Sequence, residues 1–324
     1  MTDWKKVKIH TTTPANDILC GRLLDYGIRG FEIDDPEDFK EFLENKEGKW
    51  DYIDEGLLKR AEGDSTVTVY VPDNSQGLDE LAMINQMIAD LKRSDSEGFY
   101  GSLLMEIDDI NEEDWANNWK KYFKPFSVGK RLYIKPSWEP ATGAENRKIL
   151  EIDPESSFGT GQHETTKMCL EFLDGIVKGG ENVLDMGSGS GILSIASILL
   201  GAKEVTACDV EENAVRIARE NAKKNGISEE KYTLYCGNIT DDKELANKIL
   251  SRGECDIITA NIVADVLKAM APYFKKFIKS GGVLIASGII EEREEEVCSK
   301  IVDSGFKLSE KKNSGGWSAL KFIG

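Results

Sequence analysis

The residues best suited to chemistry form a glycine-rich run, Asp185-Met-Gly-Ser-Gly-Ser-Gly191, between an apolar strand-like segment and a helix-like segment. Glycines let the backbone turn sharply and let a ligand approach it closely. The spacing is G-x-G-x-G, whereas a dinucleotide fingerprint has G-x-G-x-x-G, and no Lys-Ser/Thr pair follows to make a phosphate-binding P-loop. Asp185 would repel a pyrophosphate but can help to hold the ammonium of a methionine moiety. The run therefore predicts such a ligand, contacted by Asp185, Gly187, Gly189 and Gly191.

A second carboxylate, Asp209, ends the next strand-like segment and follows Gly187 by 22 residues. An acid at this place can accept hydrogen bonds from both hydroxyls of a ribose, although helix capping is an alternative role. The coupling to a glycine loop at this spacing favours the ribose role. An adenine would then lie after the third strand, where Asn238 either contacts it or belongs to a plain turn. Together these positions predict S-adenosylmethionine as the ligand.

Two further polar segments are candidates for the reaction itself. Asn261 emerges from an apolar strand at the edge where ligands bind in such sheets, which suits contact with cofactor and substrate amine, with helix capping as the alternative. The run from Phe158 to Thr166 has two glycines followed by two threonines and suits a mobile loop that closes over a ligand. Thr166 is placed to bond the methionine part of the cofactor. For His163, hydrogen bonding within the loop is favoured over a role as catalytic base.

The elements around these positions alternate between strand-like and helix-like patterns, which predicts a doubly wound, mostly parallel sheet. A short glycine-rich segment, Asn313 to Gly316, separates the last two strands and predicts a hairpin with an antiparallel seventh strand. The seven strand-like segments are Val183–Met186, Val205–Asp209, Thr233–Cys236, Ile257–Asn261, Val283–Ser287, Phe306–Glu310 and Ser318–Ile323.

The N-terminal part shows the order β-α-β-β-α-β, which is typical of an α+β ferredoxin-like domain. An acidic insertion at 34–64 separates its second and third strands and is interpreted as a solvated excursion. A linker helix is predicted at 111–128, because Trp115, Trp119 and Phe123 share one helical face. The predicted organisation is therefore a domain at 1–110, the linker helix, and a cofactor domain at 129–324.

Composition narrows the class of protein. The net charge is −17, and residues 1–100 alone carry −10, which argues against a nucleic-acid-binding surface. This acidity suits a basic protein partner, but charge alone favours the alternative that it only aids solubility. The two histidines and six scattered cysteines predict no metal site and no disulfide framework. No segment is long and apolar enough to span a membrane, and the first residues do not look like a secretory signal, so a cytoplasmic location is expected.

Several segments in this order resemble the ribosomal protein L11 methyltransferases of the PrmA type. The resemblance covers most of residues 111–324 and is weaker in the N-terminal part. Its most specific motif is Phe-Gly-Thr-Gly-x-His-x-Thr-Thr at 158–166, and the closing Gly316-Trp-Ser-Ala-Leu320 also matches. The resemblance implies a Rossmann-like class I methyltransferase domain with cofactor contacts at Thr166, Gly187, Asp209 and Asn261.

The resemblance also implies methylation of lysine ε-amines, and of the α-amine as a further option, on free ribosomal protein L11. It implies a monomer in which the N-terminal domain grips the substrate through a flexible linker. A methyltransferase for glutamine amides or adenine would carry Asn-Pro-Pro-Tyr where this chain has Asn261-Ile-Val-Ala264. The acidic charge argues against an RNA methyltransferase, and the glycine spacing argues against a nicotinamide oxidoreductase. A cofactor-retaining binding protein without catalysis stays open as an alternative.

Overall fold

Two units make up the chain, residues 1–120 and 121–324. The computed structural model describes residues 4–28, 30–37, 63–107, 124–153 and 161–324. The predicted face of Trp115, Trp119 and Phe123 lies outside these ranges, as does most of the acidic insertion.

The first unit contains four strands, β1 (Trp4–Thr11), β2 (Phe31–Asp34), β3 (Ser65–Pro72) and β4 (Met105–Ile107). They form an antiparallel sheet with the order β2-β3-β1-β4. Apolar residues alternate along β1 and β3 and pack with both helices in one core, which includes Val7, Val69, Leu23 and Ile84. The element order confirms the predicted β-α-β-β-α-β sequence. Its elements are β1, a 3₁₀ turn (Thr13–Ala15), α1 (Asn16–Asp25), β2, β3, α2 (Ser75–Ser94) and β4.

The start of the acidic insertion is not a solvated excursion, contrary to the prediction for 34–64. Asp34 is the last residue of β2, and Asp35 is buried. The Asp35 carboxylate accepts hydrogen bonds from the Thr13 hydroxyl at 2.8 Å and from the Asn16 amide at 2.6 Å. A carboxylate with these partners can be buried because its lone pairs are satisfied.

The second unit is built on a seven-stranded sheet, whose strands β8 to β14 run from Asn182 to Ile323 along the chain. Their order in the sheet is β10-β9-β8-β11-β12-β14-β13. β8 to β12 pair in parallel, and β14 runs antiparallel to both of its neighbours, as predicted. The strands are β8 (Asn182–Met186), β9 (Glu204–Asp209), β10 (Tyr232–Cys236), β11 (Cys255–Asn261), β12 (Ile278–Ile290), β13 (Lys307–Ser314) and β14 (Trp317–Ile323).

Helices cover the two faces of this sheet. Apolar residues of the first two helices of this unit, Glu164–Ile176 and Ile192–Leu200, pack on one face together with Ala222 of the third. Apolar residues of the last three helices pack on the other face. The helices are α3 (Glu164–Ile176), α4 (Ile192–Leu200), α5 (Glu212–Lys224), α6 (Lys243–Leu250), α7 (Ala264–Phe277) and α8 (Glu294–Asp303). Burial on both faces explains why the parallel strands read as apolar runs. The predicted doubly wound α/β fold is confirmed.

The turn between β13 and β14 holds the C-terminal hairpin next to the start of α3. It consists of Gly315 and Gly316, with φ of 60° and 83°, as a tight two-residue hairpin turn requires. Beside it, the Ser314 hydroxyl donates to a carboxylate oxygen of Glu164 at 2.8 Å.

A three-stranded sheet precedes α3 and corrects the predicted linker helix. Its strands are β5 (Phe126–Val128), β6 (Leu132–Lys135) and β7 (Lys148–Glu151). Residues 126–128 pair with β6 and are not helical, so the helix predicted over 111–128 does not reach its expected end. As an extended strand, this segment forms hydrogen bonds with β6. A helix would form its hydrogen bonds internally and leave this side of β6 unpaired.

The Asp174 carboxylate on α3 attaches this small sheet to the helix. It accepts hydrogen bonds from the backbone N–H groups of Lys130 and Arg131 at 2.9 and 3.2 Å, and from Arg131 Nε at 3.0 Å. Its side chain is only 9% exposed.

We therefore expect Asp174→Ala to lower the free energy of unfolding by about 1–3 kcal/mol, because three N–H donors lose a charged acceptor. Denaturant unfolding followed by circular dichroism measures the effect. Glu171→Ala, which removes a more exposed carboxylate from the same helix, is the control and should change stability by less than about 0.5 kcal/mol. Equal losses in the two variants would contradict this role of Asp174.

Candidate active site

Four neighbouring parallel strands end at the same edge of the large sheet. Met186, Asp209, Cys236 and Asn261 are their last residues. In open α/β sheets, ligands bind outside the carboxyl ends of the strands near the point where the strand order reverses. Here the order reverses between β8 and β11, so the glycine loop after β8 and Asn261 at the end of β11 flank that point.

The glycine loop is attached to β9 and leaves no room for a side chain at its first glycine. The N–H groups of Gly187 and Ser188 donate to Cys208 O at 2.9 and 3.2 Å. Gly187 has φ of 79°, and a Cβ there would lie 2.3 Å from Ile262 Cγ2. The backbone of the loop therefore approaches the residue that directly follows Asn261.

The last glycine of the loop begins helix α4. Gly191 adopts a left-handed conformation with φ of 81°, and a Cβ there would lie 3.0 Å from both Ala218 Cβ and the Tyr232 hydroxyl. Its N–H donates to Ser188 O at 2.8 Å, which closes a tight turn. The close contact with Ala218 on α5 and Tyr232 on β10 therefore fixes the path of the loop where α4 begins.

Asp209 connects the glycine loop to the start of α5. Its Oδ2 accepts a hydrogen bond from the Gly189 N–H at 2.8 Å, and its Oδ1 accepts one from the Glu211 N–H at 3.0 Å. The residue is 9% exposed. Glu211 is the N-cap residue of α5, and this helix has no side-chain cap hydrogen bond among the described residues, so the helix-cap alternative is not observed for Asp209. The ribose contact stays a prediction, and the backbone bonds leave room for it, because each carboxylate oxygen has two lone pairs.

Asp185 lies near the end of β8, just before the glycine loop. It is fully buried, and its two carboxylate oxygens accept hydrogen bonds from Ser194 on α4 and Thr259 on β11, both at 2.6 Å. Burial and the charge of Asp209 raise the pKa of this carboxyl to about 6, although the hydrogen bonds from Ser194 and Thr259 lower it. A direct contact between Asp185 and the ammonium of the cofactor stays a prediction. In the structure, the side chain joins β8, α4 and β11.

Thr166 and Asn261 are brought together although 95 residues separate them in the sequence. The Asn261 Nδ2 donates to the Thr166 hydroxyl oxygen at 3.3 Å, and Thr166 is fully buried. The Asn261 Oδ1 is shielded from solvent and has no hydrogen-bond partner among the described residues. Buried carbonyl oxygens are nearly always satisfied, so an acceptor left over at the ligand-binding edge fits a donor supplied by a ligand.

His163 caps helix α3. Its Nδ1 accepts hydrogen bonds from the Thr165 N–H at 3.3 Å and from the Thr165 hydroxyl at 2.7 Å, and its ring contacts Trp317 edge-on with centroids 5.0 Å apart. Burial lowers the pKa of His163 to about 4, although the neighbouring Glu164 raises it. The ring is therefore neutral near pH 7, with Nδ1 used as an acceptor. This supports the hydrogen-bonding role over that of a base.

Two predicted positions contribute less to the described geometry. Asn238 is exposed, and its side chain is engaged within its own turn, with Asp241 at 2.8 Å and the Thr240 hydroxyl at 2.8 Å. This favours the plain turn, and a contact with adenine stays a prediction. Phe158 lies outside the described residues.

Sequence reasoning missed three hydroxyl groups of this site. Ser194 and Thr259 hold Asp185, and the buried Ser188 hydroxyl, between two loop glycines, has no hydrogen-bond partner among the described residues. A signal for Ser188 was present, because a polar side chain inside a glycine loop lies next to the ligand. No pattern pointed to Ser194 or Thr259, since each lies in an otherwise apolar run.

Neither a metal site nor a membrane span is found in the described parts of the chain. These parts contain no group of three or more metal-ligating side chains. None of their helices is both long and apolar enough to cross a membrane.

A seven-stranded sheet of this order, with a glycine loop after its first strand and an acid after its second, defines a class I methyltransferase. The particular family follows from comparison with known proteins. The family model described as ribosomal protein L11 methyltransferase (PrmA) matches residues 3–323, and the chain belongs to this family. The protein is therefore an enzyme whose methyl donor is S-adenosylmethionine.

Two relatives match nearly the whole chain, and a solved structure matches part of it. A ribosomal protein L11 methyltransferase of Thermoanaerobacter pseudethanolicus is 39% identical over 319 residues, covering 98% of both chains. One of Caldanaerobacter subterraneus subsp. tengcongensis is 38% identical over 318 residues, covering 98% of this chain and 97% of that one. A crystal structure of the ribosomal protein L11 methylase of Lactobacillus delbrueckii subsp. bulgaricus is 29% identical with a TM-score of 0.55, and covers 62% of this chain and 98% of that one.

The raised pKa of Asp185 predicts a pH-dependent stability. The pKa of Asp185 in the folded protein, about 6, lies above the ordinary value of an aspartate. At pH values between the two, the folded state therefore binds more protons than the unfolded state. The contribution of Asp185 is then most favourable below pH of about 4 and is lost as the pH rises through about 6. Replacing it with the neutral Asn should raise stability relative to the wild type more at about pH 7.5 than at about pH 5, as measured by denaturant unfolding.

Asp256→Asn is the control for that experiment. Burial raises the pKa of Asp256, but the ion pair with Lys279 and the hydrogen bond from the Asn182 N–H together outweigh this and lower it overall. A lowered pKa changes stability only below about pH 4, so the stability difference between this variant and the wild type should be nearly the same at the two pH values. A stability difference between Asp185→Asn and wild type that is the same at both pH values would contradict the raised pKa.

The low pKa of His163 predicts that it does not shape the pH profile of activity near neutrality. His163→Asn retains a helix-capping acceptor and removes the titratable ring. We expect kcat/KM to depend on pH between about 5.5 and 8 in the same way in this variant and in the wild type. Loss of one limb of the profile in the variant would show that His163 acts as a general base.

Proposed function

We propose that this enzyme transfers methyl groups from S-adenosylmethionine to lysine ε-amines of ribosomal protein L11, and to its α-amine as a further option. The names of the relatives at 38–39% identity support the protein substrate. The observation that carries the amine chemistry is the buried and unpartnered Oδ1 of Asn261 beside Thr166.

The donor set of the site fits the cofactor. Asp209 can accept from ribose hydroxyls in addition to its backbone partners, because each carboxylate oxygen has two lone pairs. The hydroxyl groups of Thr166 and Ser188 are the proposed partners for the methionine part. Gly187, Gly189 and Gly191 would let the cofactor approach the bare backbone. When bound, S-adenosylmethionine supplies an electrophilic methyl group on a sulfonium.

Asn261 would orient the attacking amine. The Thr166 hydroxyl accepts from Nδ2 and so leaves Oδ1 as the acceptor that an amine N–H can use. An N–H held in this way keeps the nitrogen lone pair available for attack, and alignment is the main requirement of such a displacement. A neutral carbonyl oxygen, unlike a carboxylate, does not stabilise the protonated amine by charge.

The amine must be neutral before it can attack, although a free lysine has a pKa near 10.4. Desolvation in a closed pocket lowers the pKa of an amine. Thr166, which is hydrogen-bonded to Asn261, is fully buried and neutral and so favours this mechanism. Since desolvation supplies the neutral amine, no strong base is required, which agrees with the neutral state of His163.

Three finer features also belong to this proposal. Residues 1–110 would recognise the substrate and residues 129–324 would bind the cofactor, consistent with a division of the chain near residue 120. The enzyme would act as a monomer in the cytoplasm on the free ribosomal protein. Its net charge of −17 favours a basic protein over RNA as the substrate.

A methyl-transfer assay tests the proposed substrate. Labelled S-adenosylmethionine is supplied with purified ribosomal protein L11 and, in parallel, with bare ribosomal RNA, and products are mapped by mass spectrometry. Label on lysines, lost in Asp209→Ala, is the expected result. Label on RNA or on a glutamine amide would overturn the substrate, and cofactor binding without any product would favour a non-catalytic binder.

Removing the amide of Asn261 tests the proposed mechanism. We expect Asn261→Ala to lower kcat by about 100-fold, because a misplaced nucleophile loses alignment with the methyl group. Asn261→Asp should also be slow, since a carboxylate stabilises the protonated amine. Steady-state kinetics with ribosomal protein L11 measure both effects.

Asn247→Ala is the matched control, because Asn247 is an exposed asparagine on α6 away from the strand ends. It should leave kcat unchanged. Unaltered turnover in Asn261→Ala would remove Asn261 from the reaction while leaving the cofactor assignment intact.

A further inference from the structure

One buried side chain on α5 links the glycine loop to the segment that follows β7. Asn221 is 1% exposed, and its amide makes two hydrogen bonds to backbone atoms that are far apart in the sequence. Its Nδ2 donates to Ser190 O at 3.0 Å, and its Oδ1 accepts from the Asp153 N–H at 3.3 Å. Each half of the amide therefore holds a different segment.

The bond to Ser190 bears directly on the shape of the cofactor loop. The peptide group between Ser190 and Gly191 is held at both ends, because Asn221 binds its carbonyl and Ser188 O accepts from its N–H at 2.8 Å. With that peptide plane fixed, Gly191 keeps its left-handed conformation and the preceding Gly189 N–H keeps its bond to Asp209 at 2.8 Å. A loop held in its binding conformation loses less conformational freedom when a ligand binds.

A neighbouring asparagine on the same helix provides the contrast. Asn225 makes two hydrogen bonds to the backbone of Glu151, from Nδ2 at 2.6 Å and to Oδ1 at 2.8 Å, and a further one from Nδ2 to Asn221 O within the helix at 2.8 Å. Lys224 completes the attachment by pairing with Asp153 at 2.6 Å. These contacts fix α5 to the end of β7, whereas Asn221 also reaches the glycine loop.

We propose that Asn221 is a positioning residue for the cofactor: it sets the Ser190–Gly191 peptide so that the glycine loop is already shaped to bind S-adenosylmethionine. Asn221 does not contact the reacting atoms, and it acts through the backbone of the loop. The proposal rests on the membership of the methyltransferase family and does not depend on the identity of the methyl acceptor.

The test compares equilibrium binding of S-adenosylmethionine by calorimetry in Asn221→Ala and Asn225→Ala. Each variant removes hydrogen bonds between α5 and the β7 region, and Asn221→Ala also removes the bond to the loop. We expect the Kd to rise about tenfold in Asn221→Ala, because the Ser190 carbonyl loses the hydrogen bond from Asn221, and less than about twofold in Asn225→Ala. Equal changes in the two variants, or no change in Asn221→Ala, would overturn the proposal.

A second variant separates the two halves of the Asn221 amide and keeps its volume. Asn221→Asp still accepts from the Asp153 N–H but cannot donate to Ser190 O, and it places a negative charge against that carbonyl. Its Kd should rise at least as much as that of Asn221→Ala, and in steady-state kinetics the KM for S-adenosylmethionine should rise while the KM for the methyl acceptor is unchanged. Wild-type cofactor binding in Asn221→Asp, or a parallel rise of both KM values, would overturn the proposal.

Discussion

The buried carboxylate of Asp185 is the interaction on which the site depends. It lies at the end of β8 and binds one hydroxyl on α4 and one on β11, so it joins the two strands between which the order of the sheet reverses. Burying a charge is unfavourable unless hydrogen bonds satisfy it. The two hydrogen bonds offset this cost only in part, because the pKa of Asp185 stays raised. Asp185 therefore lowers the stability locally while it holds the glycine loop and the strand of Asn261 in one fixed arrangement.

The second acid extends this arrangement to the next strand. Asp209 binds the glycine loop through Gly189 and the start of α5 through Glu211. Because the two carboxylates lie at adjacent strand ends, the charge of Asp209 adds to the burial that raises the pKa of Asp185. A cofactor that carries a positive charge is compatible with this pair, whereas a pyrophosphate is not.

Patterns with a clear period predicted most of the fold. The alternation of strands and helices in the second unit, and the hairpin at Gly315–Gly316, followed from apolar runs and from turn residues. The strand β5 was missed because it has three residues, too few to show alternation next to an aromatic face that favours a helix. The spacing also predicted that Asp209 ends the strand next to the glycine loop, and its hydrogen bond with Gly189 agrees with this position.

Side-chain partnerships were not predictable in the same way. Nothing in the sequence separates an Asp185 that faces a ligand from one that is enclosed by Ser194 and Thr259, since those partners come from 9 and 74 residues away. The pairing of Thr166 with Asn261 and the role of Asn221 likewise depend on how separate elements pack. Sequence spacing identifies which strand end a residue occupies, and packing decides which way its polar atoms are used.

The position of β14 in the sheet has a consequence for synthesis. This strand lies between β12 and β13, and its first residue, Trp317, contacts the His163 ring that caps α3. During translation β13 has no place in the sheet until β14 has been made, because β13 lies at the edge of the described sheet and pairs there with β14. The sheet and the packing of Trp317 on the cap of α3 are therefore completed only after β14 has left the ribosome.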